Sequence, residues 1–143
     1  QVTASDLSAD ALVLAKDNAK LNRVDISFVL ADVFENVSGC FDIIVSNPPY
    51  ISENDKDEVG LNVLTSEPKM ALFADEDGLA IYRQILEDAD KYLNPQGKLY
   101  FEIGYKQGED LRKLLSLHFP DKHVRVLKDQ FGQDRMVVMD DGK

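Results

Sequence analysis

Apolar and polar residues change their period several times along this chain, and each change marks an element. Val2-Thr3-Ala4-Ser5 opens it as a short strand at residues 1–5. In SADALVLAKDNAKLN, Ala11, Leu12, Ala15 and Ala19 recur at helical spacing. They predict a helix capped by Ser8 and ending near Asn22. ISFVLA (26–31) and FDIIVS (41–46) read as strands. Residues 51–77 carry many charges, Pro68 and little periodicity, and read as a long functional loop with a short helix. In GLAIYRQILEDADKYL (78–93), Leu79, Tyr82, Ile85, Leu86, Ala89 and Leu93 share one helical face. Asn94-Pro95-Gln96-Gly97 reads as a turn and KLYFEI (98–103) as a strand. A helix follows at 107–118, with Leu111, Leu114, Leu115 and Leu117 apolar, and then HVRVLKD (123–129) and RMVVMD (135–140) as strands. The five residues Gln130–Asp134 between those strands are short enough for an antiparallel hairpin.

Strands alternating with helices predict an α/β fold, doubly wound around a mostly parallel sheet with an antiparallel C-terminal edge. No repeat, linker or low-complexity tract interrupts it, so residues 1–143 read as one domain. The net charge of −10 repels nucleic-acid phosphates, and no run of Lys and Arg offers a local basic patch, so direct nucleic-acid binding is not expected. A single cysteine, Cys40, excludes an internal disulfide and reads as a small buried thiol; no metal-ligand spacing is present. No signal peptide or long apolar span is visible, so a cytoplasmic location is expected and a membrane is not.

In open α/β sheets, ligands bind beyond the carboxyl ends of the parallel strands. Three such ends are polar here: Asp6, Asp32 and Asn47. Asp6 suits the ribose hydroxyls of a nucleotide, although Asp6-Leu7-Ser8 also reads as an ordinary helix cap. Asp32-Val33-Phe34 offers a carboxylate beside apolar cover, as an adenine needs; its ordinary reading is a loop with a half-buried Phe. Asn47-Pro48-Pro49-Tyr50 carries the clearest signal. Its two prolines fix their φ angles and remove two backbone donors, so the segment is stiff and rich in acceptors. The Asn47 side-chain oxygen and the Pro48 carbonyl can receive both hydrogens of one planar NH₂ group, with the Tyr50 ring against its flat face.

NPPY after a strand resembles the amino-methyltransferases of the class I S-adenosylmethionine-dependent superfamily. NPPYI, EPKMALFADEDGLAIYRQI, FEIGYKQG and the closing FGQDRMVV resemble, across essentially the whole chain, the HemK/PrmC release-factor glutamine methyltransferases. The resemblance implies a Rossmann-like fold with S-adenosylmethionine as cofactor. It implies that Asp6, with Leu7 beside it, holds the cofactor ribose, that Asp32 and Val33 border the adenine, and that Asn47 also touches the cofactor. Asn47 and Pro48 would bind the substrate amide, with Pro49 and Tyr50 completing the catalytic pocket. The substrate implied is the Gly-Gly-Gln loop of peptide chain release factors. Glu67-Pro68 reads as a family marker without an assignable role. His118 and His123 read as structural, and the excess of Asp and Glu as solvated surface.

The chain departs from the family at its start. The Gly-rich turn after the family's first strand, that strand itself and the N-terminal helical domain are all missing before Asp6. In the superfamily's strand order the missing strand lies between the strands at 1–5 and 41–46. The expectation is therefore a fragment with two unpaired internal edges, closed by direct pairing, by a partner or by partial disorder. Two rival readings remain: an adenine-N6 methyltransferase for DNA or RNA, gripping a flipped-out base with the same NPPY, and a non-catalytic binding module. The 143 residues alone should bind S-adenosylmethionine weakly or not at all; titration calorimetry checks this, and tight stoichiometric binding contradicts it.

Overall fold

In the computed structural model, residues 1–52, 68, 71–74 and 78–142 are described. They divide into two compact units, Gln1–Gly39 and Cys40–Lys143.

The first unit is a βαβ element. β1 (Thr3–Asp6) leads into α1 (Ala9–Asn22) and then β2 (Ser27–Leu30), which pairs parallel with β1 in the register Thr3↔Ser27 to Asp6↔Leu30. Ser8 caps α1 as its residue type predicts: its Oγ accepts the Ala11 N–H at 3.2 Å. The helix ends where Arg23 turns left-handed at φ 55°. Leu12 and Ala19 are its buried residues, while Val13, Leu14 and Leu21 remain exposed.

The second unit is a four-stranded sheet in the order β3-β6-β8-β7, built from β3 (Phe41–Ser46), β6 (Leu93–Glu102), β7 (His123–Lys128) and β8 (Asp134–Asp140). β3 and β6 are parallel; β8 is antiparallel to both β6 and β7. Helices α2 (Ala80–Tyr92) and α3 (Gly108–His118) pack against each other and against this sheet. The face foreseen on α2 is the one buried: Leu79, Tyr82, Ile85, Leu86 and Ala89 join Leu99, Phe101, Ile103, Leu111, Leu115, Val137 and Met139 in the core. Burying each of the larger aliphatic side chains contributes about 1.5–3 kcal/mol. Tyr82 and Phe101 meet edge to face at 5.1 Å. No described helix is long and apolar enough to cross a membrane.

Several details differ from the sequence reading. Asn94–Gly97 is not a free turn but a bulge inside β6: the register steps from Phe41↔Leu93 to Ile43↔Lys98. Side chains hold it in place, Asn94 Nδ2 donating to Asp42 Oδ1 at 2.7 Å and Lys122 Nζ to the Pro95 carbonyl at 2.7 Å. Cys40 is exposed rather than buried, because it lies just after the left-handed Gly39 (φ 98°) and before the edge strand; its Sγ lies 3.6 Å from the Lys91 carbonyl. Leu117 is exposed at the end of α3. Within 51–77, β4 (Ile51–Ser52) and β5 (Phe73–Ala74) form a short parallel pair that aperiodic sequence did not suggest. The short helix expected in that stretch and Glu67 fall outside the described residues. β1 and β3 each have one hydrogen-bonded strand neighbour among the described residues.

The hairpin tip is organised by Asp129, whose Oδ1 accepts the N–H groups of Phe131 at 2.8 Å and Gln133 at 3.0 Å, with Gly132 left-handed at φ 79°. The Gln133 N–H, then the Phe131 N–H and Arg135, hold this carboxyl below the ordinary Asp range. A depressed pKa stabilises the fold above the unfolded-state value and loses that contribution as pH falls through the folded-state value. Asp129→Ala should therefore lower the urea midpoint at neutral pH, and its difference from the wild type should vanish in acid, as read by equilibrium unfolding across pH.

Candidate active site

In the first unit, the polar strand ends are set by the βαβ geometry. The Asp6 carbonyl accepts the Ala31 N–H at 3.0 Å, which fixes the end of β1 beside the residue preceding Asp32. The Asp6 carboxylate supports the cap rather than being it: Oδ1 accepts the N–H of the cap residue Ser8 at 2.7 Å. A carboxylate has more acceptor sites than this one bond uses, so the cap leaves capacity for hydroxyl donors. Leu7 is exposed beside it. Asp32 is exposed, and Val33 and Phe34 are half-buried, a carboxylate beside partial apolar cover. Val33 is left-handed at φ 52°, where a β-branched side chain is strained. The Asp32 carbonyl accepts the Glu35 N–H at 2.9 Å, closing the turn that imposes this conformation. The strain is invisible in sequence, where Val argues against a left-handed turn.

In the second unit, β3 ends at Ser46, paired with Phe101 in β6, and the chain enters Asn47–Tyr50. Asn47 is exposed, Pro48 buried, and Pro49 and Tyr50 half-buried. Among the described residues, neither the Asn47 carboxamide nor the Pro48 carbonyl takes part in a hydrogen bond. The corner therefore presents Asn47 at the surface while its apolar rings are partly or fully covered.

The far end of the corner is held by residues that sequence reasoning quoted without giving them a role. Gln107 Nε2 donates to the Tyr50 carbonyl at 2.9 Å, and Gln107 Oε1 accepts the Gly104 N–H at 2.9 Å. Gly78 is left-handed at φ 79°, and a Cβ there would lie 2.1 Å from the Tyr50 carbonyl oxygen and 2.5 Å from Gln107 Nε2. A Cβ on Gly104 would lie 3.2 Å from the Tyr50 ring. The Tyr82 hydroxyl donates to the Glu102 carbonyl at 2.6 Å. Burial raises the Tyr82 pKa above the ordinary phenol value, with Tyr50 and Glu102 adding to it, so Tyr82 stays a neutral donor. The strand ends Ile103 and Arg135 are joined by a 3.0 Å N–H to carbonyl bond, and Asp134 Oδ2 stands 2.4 Å from where a Cβ on Gly108 would be. Tyr50, Gly78, Gly104 and Gln107 thus pack together, and Asp134 reaches Gly108 at the start of α3.

A family model described as methyltransferase small domain matches residues 1–72. The chain belongs to the methyltransferase small domain family. It is 61% identical over 142 residues to the release factor glutamine methyltransferase of Streptococcus pneumoniae, covering 99% of this chain and 51% of that protein. With the protein of the same name from Lactococcus lactis it shares 46% over 136 residues, 95% of this chain and 50% of that one. The chain thus spans about half the length of the curated relatives it matches. A ribosomal protein L11 methylase from Lactobacillus delbrueckii shares the fold at a TM-score of 0.66 and 23% identity, over 97% of this chain and 56% of that one. The Rossmann-like methyltransferase fold expected from the NPPY motif is the one found.

His118 and His123 have structural surroundings: the His118 Nδ1 lies 2.9 Å from the Leu114 carbonyl in the last turn of α3, and His123 opens β7 opposite Asp140. Gly78→Ala should displace the Tyr50 carbonyl, since backbone strain and a sub-contact approach coincide there. It should destabilise the protein by about 1–3 kcal/mol in urea unfolding, whereas Gly132→Ala, with nothing within 4 Å of its Cβ, should cost less.

Proposed function

We propose that this chain is the catalytic part of an enzyme that transfers a methyl group from S-adenosylmethionine to the side-chain amide nitrogen of the glutamine in the Gly-Gly-Gln motif of peptide chain release factors. The observation that carries the reading is the corner Asn47–Tyr50, anchored at both ends, with Asn47 exposed and its carboxamide in no hydrogen bond among the described residues. The high identity to proteins named release factor glutamine methyltransferase supports this substrate. Release factors as the protein partner place the reaction in the cytoplasm.

The first unit fits the cofactor. The Asp6 carboxylate has acceptor capacity for ribose hydroxyls with Leu7 alongside. Asp32 and the strained Val33 present a carboxylate and a fixed backbone N–H to an adenine edge. S-adenosylmethionine supplies an already electrophilic sulfonium methyl, so the difficult electronics belong to the cofactor.

The task of the protein is to present a poor nucleophile. A carboxamide nitrogen has its lone pair delocalised into its own carbonyl. Asn47 Oδ1 accepts one NH₂ hydrogen and the Pro48 carbonyl the other, which raises electron density on nitrogen and stabilises the positive charge that grows there. The Pro48 and Pro49 rings lock φ and so narrow the conformations open to the corner, and the Tyr50 ring covers the flat face of the amide. Fixed orientation of the nitrogen replaces a general base, since the methylated nitrogen is acidic enough to lose its proton to solvent.

The acidic surface and the absence of a Lys/Arg run disfavour the adenine-N6 alternative. With radiolabelled S-adenosylmethionine, the full-length protein should label a release factor and leave DNA and RNA unlabelled. Asn47→Ala should lower kcat by about 10²–10³-fold. A near-normal rate in that variant removes the role given to Asn47, and label in nucleic acid instead of the release factor overturns the substrate.

A further inference from the structure

We infer that Gln107 is a positioning residue: its buried carboxamide clamps the Tyr50 carbonyl and so fixes the conformation of the Asn47–Tyr50 corner. The catalytic consequence rests on the proposed function; the clamp itself stands on geometry.

Gln107 occupies the N-cap of α3, where Ser, Thr, Asp or Asn is favoured because a short side chain reaches the free N–H groups of the first turn. It makes no such cap bond. Its carboxamide instead reaches 57 residues back in sequence to the Tyr50 carbonyl and is braced by the Gly104 N–H, both at 2.9 Å. At 7% exposure Gln107 is buried, where polar groups are held in hydrogen bonds, as both ends of this carboxamide are. The helix start that Gln107 leaves uncapped has the Asp134 carboxylate beside Gly108, a negative charge where the helix dipole favours one. Gly78, with no room for a side chain, lets the Tyr50 carbonyl and Gln107 Nε2 come together. A local rule is broken at Gln107 and repaired by other residues, the pattern expected where a side chain serves a site.

The clamp completes what the prolines begin. Pyrrolidine rings lock φ at positions 48 and 49, but ψ at each, and both angles at Tyr50, stay free. β-pairing of Ser46 with Phe101 fixes the entry to the corner; at its exit the Gln107 bond holds the Tyr50 carbonyl, beside the Ile51 N–H that donates to the Leu72 carbonyl at 3.0 Å.

A role confined to the α3 start predicts a different outcome from a clamp, and two variants separate them. Gln107→Glu, ionised at neutral pH, keeps the acceptor for Gly104 but cannot donate to Tyr50; Gln107→Met fills similar volume and loses both bonds. In the full-length protein, carbonyl-¹³C Tyr and Ile with ¹⁵N Ile and Gly report the Tyr50–Ile51 and Ile103–Gly104 peptide groups, each pair occurring once in these residues. The clamp predicts that Gln107→Glu moves the Tyr50 carbonyl signal and leaves the Gly104 amide near its wild-type position, while Gln107→Met moves both. Methyl transfer should then fall about 10²-fold in kcat in both variants, with KM for S-adenosylmethionine little changed. An unmoved Tyr50 carbonyl in both variants overturns the inference, as does a wild-type kcat accompanied only by lower thermal stability. Should the wild type transfer no methyl group, the proposed function fails, and the Tyr50 carbonyl signal alone decides the clamp: moved supports it, unmoved overturns it.

Discussion

One carbonyl oxygen organises the second unit. The Tyr50 C=O follows two residues that cannot donate a backbone hydrogen bond, at the end of an edge strand, where an unanchored chain would swing. Gln107 Nε2 meets it at 2.9 Å, and a glycine at 78 is required by its closeness. A hydrogen bond of this kind contributes only about 0.5–1.5 kcal/mol net, and leaving a buried partner unmade costs about 1–3 kcal/mol. The direction it imposes matters more than its size. Together with the Ile51 N–H on the Leu72 carbonyl, it fixes the backbone direction in which the chain leaves the Asn47–Pro49 segment. Reorganisation avoided during reaction is reorganisation that does not add to the barrier.

The first unit uses its residues twice. Asp6 ends β1, supports the start of α1 through the Ser8 N–H, and still has lone pairs to offer. Val33 adopts a conformation its side chain disfavours, because the turn closed by the Asp32 carbonyl leaves no other. Both make sense if the loops after β1 and β2 were selected for what they present beyond the strand ends.

What sequence could show depended on the range of the interaction that fixes each feature. Local periodicity located α2 and its buried face to within a residue or two, because core burial there follows the helical repeat from Leu79 to Ala89. β3 was legible from its run of β-branched and aromatic residues, and the Ser8 cap from its residue type before a helical repeat. The bulge at Asn94–Gly97 was not: a four-residue turn sequence was kept inside a strand by Asp42 and Lys122, residues distant in sequence. Cys40 was misjudged because residue type speaks for average burial and its position follows Gly39 at an edge. The NPPY corner announced itself through its own covalent stiffness. Its supports at Gly78, Gly104 and Gln107 did not, since each contact closes only in three dimensions. The available clue was Gln107 itself, a long amide where a short cap belongs.

The proposed function requires a flat carboxamide held by two acceptors. The most direct measurement is the NMR spectrum of a Gly-Gly-Gln peptide, ¹⁵N-labelled at the glutamine side chain, bound to the full-length protein. The account predicts that both NH₂ protons move downfield on binding and show cross-relaxation to the Tyr50 ring. Binding with both NH₂ protons at their free positions, or with cross-relaxation only to residues outside Asn47–Tyr50, would contradict it.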